Sequence, residues 1–337
     1  MPSVFILTPG ARAHLEGERL VVEAPPDDDL KVDGTAYEIF LREIEQVVLT
    51  ESVSLTMPAL AELMRHDIPM FLTSHGERVI GICQPPSPNC VARLEQYRKS
   101  GDEAWALATA TRWVEAKILN SRRVLQRLAV NRKDSAIQDV LAHLEELAGK
   151  CPKAESLDTL RGFEGTAAGR YFEAYATFFP DDCPFERRSR RPPHNAVNAL
   201  LSYAYTLLGA EMECQLHTVG LDPCVGFLHE PADRRASLAL DMIEPFRAPV
   251  ADAMALDLVS HATVNPQDHF EARDGGVYMN TEGKKRFFVA YERRMGREFY
   301  CEQTGKRTTL RQEFHNQAQA LKQAIVNGEK YEPFIMN

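Results

Sequence analysis

At 337 residues the chain is too long for one small core and suggests two domains, and its 44% apolar and 26% charged residues are the balance of an ordinary soluble globular protein. It has no apolar run approaching the roughly 18 residues of a spanning helix, no signal-peptide layout in MPSVFILTPGARAHLEGERL, and seven scattered cysteines without a C-x-x-C. A membrane protein, a zinc ribbon and a disulfide framework are therefore disfavoured, and a cytoplasmic location is expected. The net charge of −9 weighs against nucleic acid until it is divided: residues 1–90 hold 14 Asp/Glu and 6 Lys/Arg, a balance of −8, which leaves −1 for 91–337.

In chain order, VFILT, RLVVEA, AYEIFL, QVVLT, PMFLT and VIGIC are β-branched or alternating runs separated by turn formers such as LEGE, KVDGT and SHGE, and they read as short strands. One helix interrupts them, MPALAELMRHD, starting near Thr56–Pro58. QPPSPN, with three prolines in six residues, marks a boundary, so the spacing predicts a β-rich N-terminal domain over 1–83, a linker over 84–90 and a helical domain over 91–337. Residues 91–133 form a helical run broken only by Gly101, and 135–149, 156–178, 196–218, 237–262 and 308–327 continue the pattern. A strand pair is expected within GGVYMNTEGKKRFFVAYERR. The fold class is α+β. Basic clusters fall in the helical part, at Arg122, Arg123, Arg127, Arg132 and Lys133, at Arg187, Arg188, Arg190 and Arg191, and along 284–297. Each alone reads as a solvated face, and together they make a phosphate-binding surface plausible.

The helix SLDTLRGFEGTAAGRYFEAY places Leu157, Leu160, Ala167, Ala168, Tyr171 and Tyr175 on one stripe, with Glu164 in its middle. A carboxylate there is costly unless a cation offsets it, and a salt bridge with Arg161, Arg170 or an arginine of another helix is the plain reading. Gly162, Gly165 and Gly169 each cost about 1 kcal/mol in a helix interior and ask for a reason, such as room for something charged to approach the backbone. Further on, Ser237 reads as an N-cap, and Asp241 and Glu244 flank an apolar stripe at i, i+3, close after His229. Two carboxylates at that spacing repel unless a cation is near. A lone His or a D-x-x-E is more often structural. With the stripe-centred glutamate they form a set of hard ligands and one imidazole suited to Mg²⁺ or Mn²⁺ rather than zinc.

Three stretches in order, LRGFEGTAAGRYFEAY, RRPPHNAVNALLSYAYTLLGAEM and GLDPCVGFLHEPADRRASLALDMIEPFRAPVAD, closely resemble the CRISPR adaptation integrases, and the ending RQEFHNQAQALKQAIVNGEKYEPF resembles that of the subtype I-C branch. The resemblance implies a metal-dependent DNA endonuclease that inserts short foreign fragments into the CRISPR repeat by attack of a DNA 3′-hydroxyl on a phosphodiester. It implies Glu164, His229 and Glu244 as metal ligands, Asp241 as a catalytic carboxylate beside them, and a homodimer that works on double-stranded DNA with a small partner, Cas-two. The arginines Arg187, Arg188, Arg190 and Arg191 are assigned to DNA contact, and the acidic N-terminal domain to dimerisation. Two other readings stay open: a nuclease acting on branched DNA without a partner, and a DNA-organising scaffold whose ion pairs only look like ligands.

Overall fold

The computed structural model describes residues 3–336 apart from 27–35, 75–77, 86–89, 131, 133, 234 and 303–304. The expected turn KVDGT, most of the proline linker and Lys133 thus lie outside the described residues. The molecule is α+β, with a β-rich N-terminal region followed by a helical body.

The N-terminal region is two four-stranded sheets. The first runs in the order β1 (Ser3–Ile6), β5 (Gln46–Thr50), β7 (Met70–Ser74) and β8 (Arg78–Cys83), parallel except for the last pair. The second pairs β4 (Ala36–Phe40), β3 (Arg19–Glu23) and β2 (Arg12–Glu16) antiparallel, with the short β6 (Ser54–Leu55) parallel to β2. β2 was not expected, because ARAHLE mixes small and charged residues. Its inward side chain Ala13 is nonetheless fully buried. The expected helix is α1 (Met57–Arg65), which sends Ala59 and Leu63 into the core with Leu20, Val47 and Leu49.

β5 shows why QVVLT is apolar throughout. Successive side chains of a strand point to opposite faces. Val47 and Leu49 enter the N-terminal core, and Val48 packs with Phe71 and Cys214 on the other side. Cys214 belongs to α6 (Ala196–Val219), the central helix of the body, so one strand is buried by both halves of the molecule. Polar links reinforce this junction. Thr218 Oγ1 donates to Gln46 Oε1 at 2.9 Å, His315 Nδ1 lies 2.5 Å from Glu45 Oε1, and the Arg311 guanidinium covers the Phe5 ring at 4.1 Å.

In the body, the first helical run divides at Gly101–Asp102 into α2 (Cys90–Ser100) and α3 (Glu103–Leu128), with the Asp102 carboxylate accepting from Trp105 N. Then come α4 (Ser135–Lys150), α5 (Leu157–Ala176) and α6. The predicted single helix over 237–262 is divided instead. α7 (Ser237–Ile243) passes through a tight turn at Glu244–Phe246 and a π segment at Arg247–Asp252 before α8 (Ala253–Ser260). Two prolines explain the interruption, since neither can return a backbone hydrogen bond. Pro249 supplies no N–H to the Pro245 carbonyl. That carbonyl accepts from the buried Asn120 side chain of α3 at 2.7 Å. Ser237 is not the N-cap: it begins α7, and its hydroxyl donates to Glu230 O.

The expected strand pair is displaced toward the N-terminus. β9 (Phe270–Arg273) and β10 (Gly276–Met279) form the hairpin around Asp274 and Gly275, both with positive φ. The stretch TEGKKRFFVAYERRM is helix α9 (Thr281–Met295), capped by Asn280 accepting from Gly283 N. A further hairpin, β11 (Glu298–Cys301) and β12 (Lys306–Thr309), precedes α10 (Leu310–Asn327).

Candidate active site

Glu164 sits on α5 with Leu160, Ala167, Tyr171, Ala174 and Tyr175 turned inward. Its side chain is 26% exposed, so the stripe buries it only in part. Neither Arg161 nor Arg170 is its partner. Arg161 binds Asp158 and donates to Leu228 O at 2.7 Å, and Arg170 pairs with Glu173. The cation is Lys117 of α3, whose ammonium donates to Glu164 Oε1. Gly162, Gly165 and Gly169 lie on the exposed side of α5, where an added Cβ would meet nothing.

Glu244 is buried at the turn after α7, with Lys117 Nζ 2.7 Å from its Oε2 and the Arg247 guanidinium 3.0 Å from its Oε1. Burial alone would raise its pKa. Arg247 and Lys117 outweigh burial, with a smaller effect from His229, and hold the carboxyl down at about 2. Glu244 is therefore ionised at neutral pH, and the repulsion expected from D-x-x-E does not arise, because Asp241 faces elsewhere.

Asp241 is fully buried and spends both oxygens on the His229 loop. Oδ2 accepts from Phe227 N at 2.7 Å and Leu228 N at 3.0 Å, and Oδ1 accepts from His229 N at 2.9 Å and lies 2.5 Å from His229 Nδ1. Asp241, expected as a catalytic carboxylate beside the metal ligands, stands behind the histidine and binds its ring and its backbone N–H. By binding Nδ1 it leaves Nε2 as the nitrogen with a free lone pair, the usual arrangement behind a metal-binding imidazole. The loop needs glycine at 226, because a Cβ there would strike the Asp241 carboxylate and the His229 carbonyl.

A cleft beside these groups is lined by Lys117, Glu164, Ala168, Arg190, Tyr205 and Arg247, among others. Tyr205 lies between two guanidinium groups, Arg247 at 4.8 Å and Arg188 at 5.2 Å from its ring centroid, and donates to Asp252 Oδ1 at 2.5 Å. Burial is what pushes the Asp252 carboxyl up to about 6, against the tyrosine hydrogen bonds and arginines that favour its charge. Of the four arginines expected to contact DNA, Arg187, Arg190 and Arg191 are exposed. Arg188 points inward, donating to Asn198 Oδ1 at 2.8 Å and Ser202 Oγ at 3.1 Å, and is corrected to a brace between its loop and α6.

The donor set fits a divalent cation in one respect: two carboxylates from separate elements meet on one positive centre, the Lys117 ammonium. The third expected ligand stands apart. Among the described residues no three His, Cys, Asp or Glu side chains are close enough together to share an ion. Lys117 and Arg247 escaped the sequence reading. Lys117 lies within the buried stripe Ala110, Trp113, Val114, Asn120, Ser121 and Val124, so the wheel argument that found Glu164 would have found it too.

The sequence profile described as "CRISPR associated protein Cas1" matches residues 4–293. The chain belongs to the Cas1 family. It is 35% identical over 315 residues to "CRISPR-associated endonuclease Cas1 3" of Thermus thermophilus, covering 91% of this chain and 92% of that one. It is 36% identical over 304 residues to a "CRISPR-associated exonuclease Cas4/endonuclease Cas1 fusion" of Geobacter sulfurreducens, covering 88% of this chain but 53% of the fusion. Among solved structures, the "Partial Cas6-RT-Cas1--Cas2 complex" superposes with a TM-score of 0.79 at 25% identity, covering 100% of this chain and 99% of that one. A "Casposase bound to integration product" superposes at 0.76 with 24% identity over 99% and 93%, a likeness of fold. The Cas1 resemblance read from the three motifs thus holds. Among the described residues no helix is long and apolar enough to cross a membrane.

Proposed function

We propose that the chain is a metal-dependent DNA endonuclease and integrase of CRISPR adaptation, joining the 3′-hydroxyl of a short DNA fragment to a phosphodiester of the repeat. The observation that carries this reading is the meeting of Glu164 and Glu244 on a single cationic point. In this reading Glu164 and Glu244 would hold Mg²⁺ or Mn²⁺, and His229 Nε2 would join them only by moving in from its present place, where no three such side chains come together among the described residues. When bound, such an ion polarises the scissile phosphate and lowers the pKa of the attacking hydroxyl. Asp241 fixes the ring of His229. Arg247, pinned by Glu244 and Tyr205, keeps a positive charge beside the reacting phosphate, where negative charge develops. The nucleophile comes from the DNA, so the chain needs no Ser, Cys or Tyr for that purpose, and water in its place gives cleavage.

One relative's name places Cas1 with the small protein Cas2, and double-stranded DNA and a second copy of the chain are proposed as partners on the family resemblance. The acidic N-terminal region is the part proposed to build the dimer, and the subtype I-C branch is proposed on the likeness of RQEFHNQAQALKQAIVNGEKYEPF. The deciding experiment offers short duplexes with free 3′-hydroxyls to a supercoiled, repeat-bearing plasmid, with and without Cas2, in Mn²⁺, Mg²⁺ or chelator. Joined products that need both Cas2 and metal are expected. Cleavage without joining would make the chain a partner-independent nuclease, and activity that survives chelation would remove the metal.

The arginine loop gives a separate prediction. Replacing the exposed Arg187, Arg190 and Arg191 together by alanine should weaken DNA binding and flatten the plot of log affinity against log salt by up to about 0.9 per lost phosphate contact. Arg188→Ala should instead lower the melting temperature, since it unties the loop from Asn198 and Ser202. Fluorescence anisotropy across a salt series checks the first claim, and an unchanged slope would take the loop off the DNA surface.

A further inference from the structure

Around Glu244 stand two cations held in different ways. The Arg247 guanidinium is fixed on both sides, by Glu244 Oε1 at 3.0 Å and by the Tyr205 ring at 4.8 Å. Lys117 is a compact charge on a flexible four-carbon stem that bridges Glu164 and Glu244 and borders the cleft containing Arg190. The local balance is neutral, two carboxylates against one ammonium and one guanidinium. Removal of the ammonium alone would leave Glu164 and Glu244 repelling each other across a short gap, and a divalent ion would reverse that with an excess of positive charge. The ion and the ammonium need the same two carboxylates, and the cleft gives the lysine somewhere to go.

We propose that Lys117 is a displaceable internal counter-cation: it holds Glu164 and Glu244 together before metal arrives, competes with the ion for them, and withdraws into the cleft on binding. There its ammonium joins Arg190 facing the incoming phosphodiester. The proposal rests on the metal-site reading above. It makes Lys117 a positioning residue whose removal tightens metal binding, where a merely structural lysine would only lower stability.

The test is a titration of metal-free protein with Mn²⁺, following free Mn²⁺ by electron paramagnetic resonance, for wild type, Lys117→Met and Arg170→Gln. Arg170 is the control for net charge, being exposed on α5, the helix of Glu164, and paired with Glu173. Lys117→Met should bind Mn²⁺ about tenfold more tightly than wild type, and Arg170→Gln within about twofold of it. In wild type, acylation of the Lys117 amine, read by peptide mass spectrometry, should rise several-fold when Mn²⁺ is added. That arm needs no variant and decides the matter if Lys117→Met does not fold. Equal or weaker Mn²⁺ binding by Lys117→Met, an equal gain in Arg170→Gln, or unchanged acylation in a wild type that binds Mn²⁺ would each overturn the proposal while leaving the metal site standing. If wild type and both variants bind no Mn²⁺, the metal-site reading falls and the proposal with it.

Discussion

Glu164→Ala is expected to lower metal-supported strand transfer and cleavage by more than about a thousandfold while melting within a few degrees of wild type in the absence of metal. The activity loss follows from removing one of the carboxylates proposed to hold the ion. The small effect on melting follows from the surroundings: Glu164 is a quarter exposed, and without it Lys117 still has Glu244 2.7 Å away. Circular dichroism melting and the plasmid integration assay on the same preparation check both halves. A variant that melts far below wild type yet keeps Mn²⁺-dependent activity per folded molecule would make Glu164 a structural ion-pair partner.

Glu244→Ala should behave differently although it belongs to the same constellation. It is 3% exposed and neutralises both Lys117 and Arg247, so its removal strands a buried guanidinium. Breaking a buried pair in this way costs about 3–5 kcal/mol, and activity disappears as well. Urea denaturation should show a lower midpoint with an unchanged slope. The double variant Glu244→Ala with Arg247→Met should recover part of the loss, because no unpaired charge remains beside the gap. A cost below about 1 kcal/mol for Glu244→Ala would mean that solvent already screens the pair and that the turn is open to water.

The division into a β-rich region and a helical body was legible because apolar periodicity changes from two to 3.6 near residue 84. The site was legible where one residue contradicts its own stripe, as Glu164 does. What sequence order hides is which groups meet. Arg161 and Arg170, three residues before and six after Glu164 on the same helix, looked like its partners, but the partner is Lys117, 47 residues upstream. Asp241 and Glu244 are three residues apart and look like a pair, yet one binds the His229 loop and the other Lys117 and Arg247. The misplaced hairpin has a local cause. TEGK resembles a turn between strands, but Asn280 is a helix cap and Glu282 suits a first turn. Gly283 is there because an added Cβ would strike the His269 carbonyl. The parity of β5 could not be read at all, since a strand buried on both faces has no polar side to reveal which neighbour lies where.

The π segment at Arg247–Asp252 bears on how the chain can change in length. Its wide turn frees carbonyls that outside groups take up: Arg294 Nε donates to Pro249 O at 3.2 Å and the Tyr175 hydroxyl to Asp252 O at 2.7 Å. A π turn holds one residue more than an α turn. Deleting a residue here would let the backbone close into ordinary helix with its two ends nearly in phase, but it would pull both carbonyls from their donors. Gains and losses of single residues should therefore accumulate in surface loops and be purged from 247–252, and replacing Pro249, whose missing N–H helps to open the turn, should be felt there too.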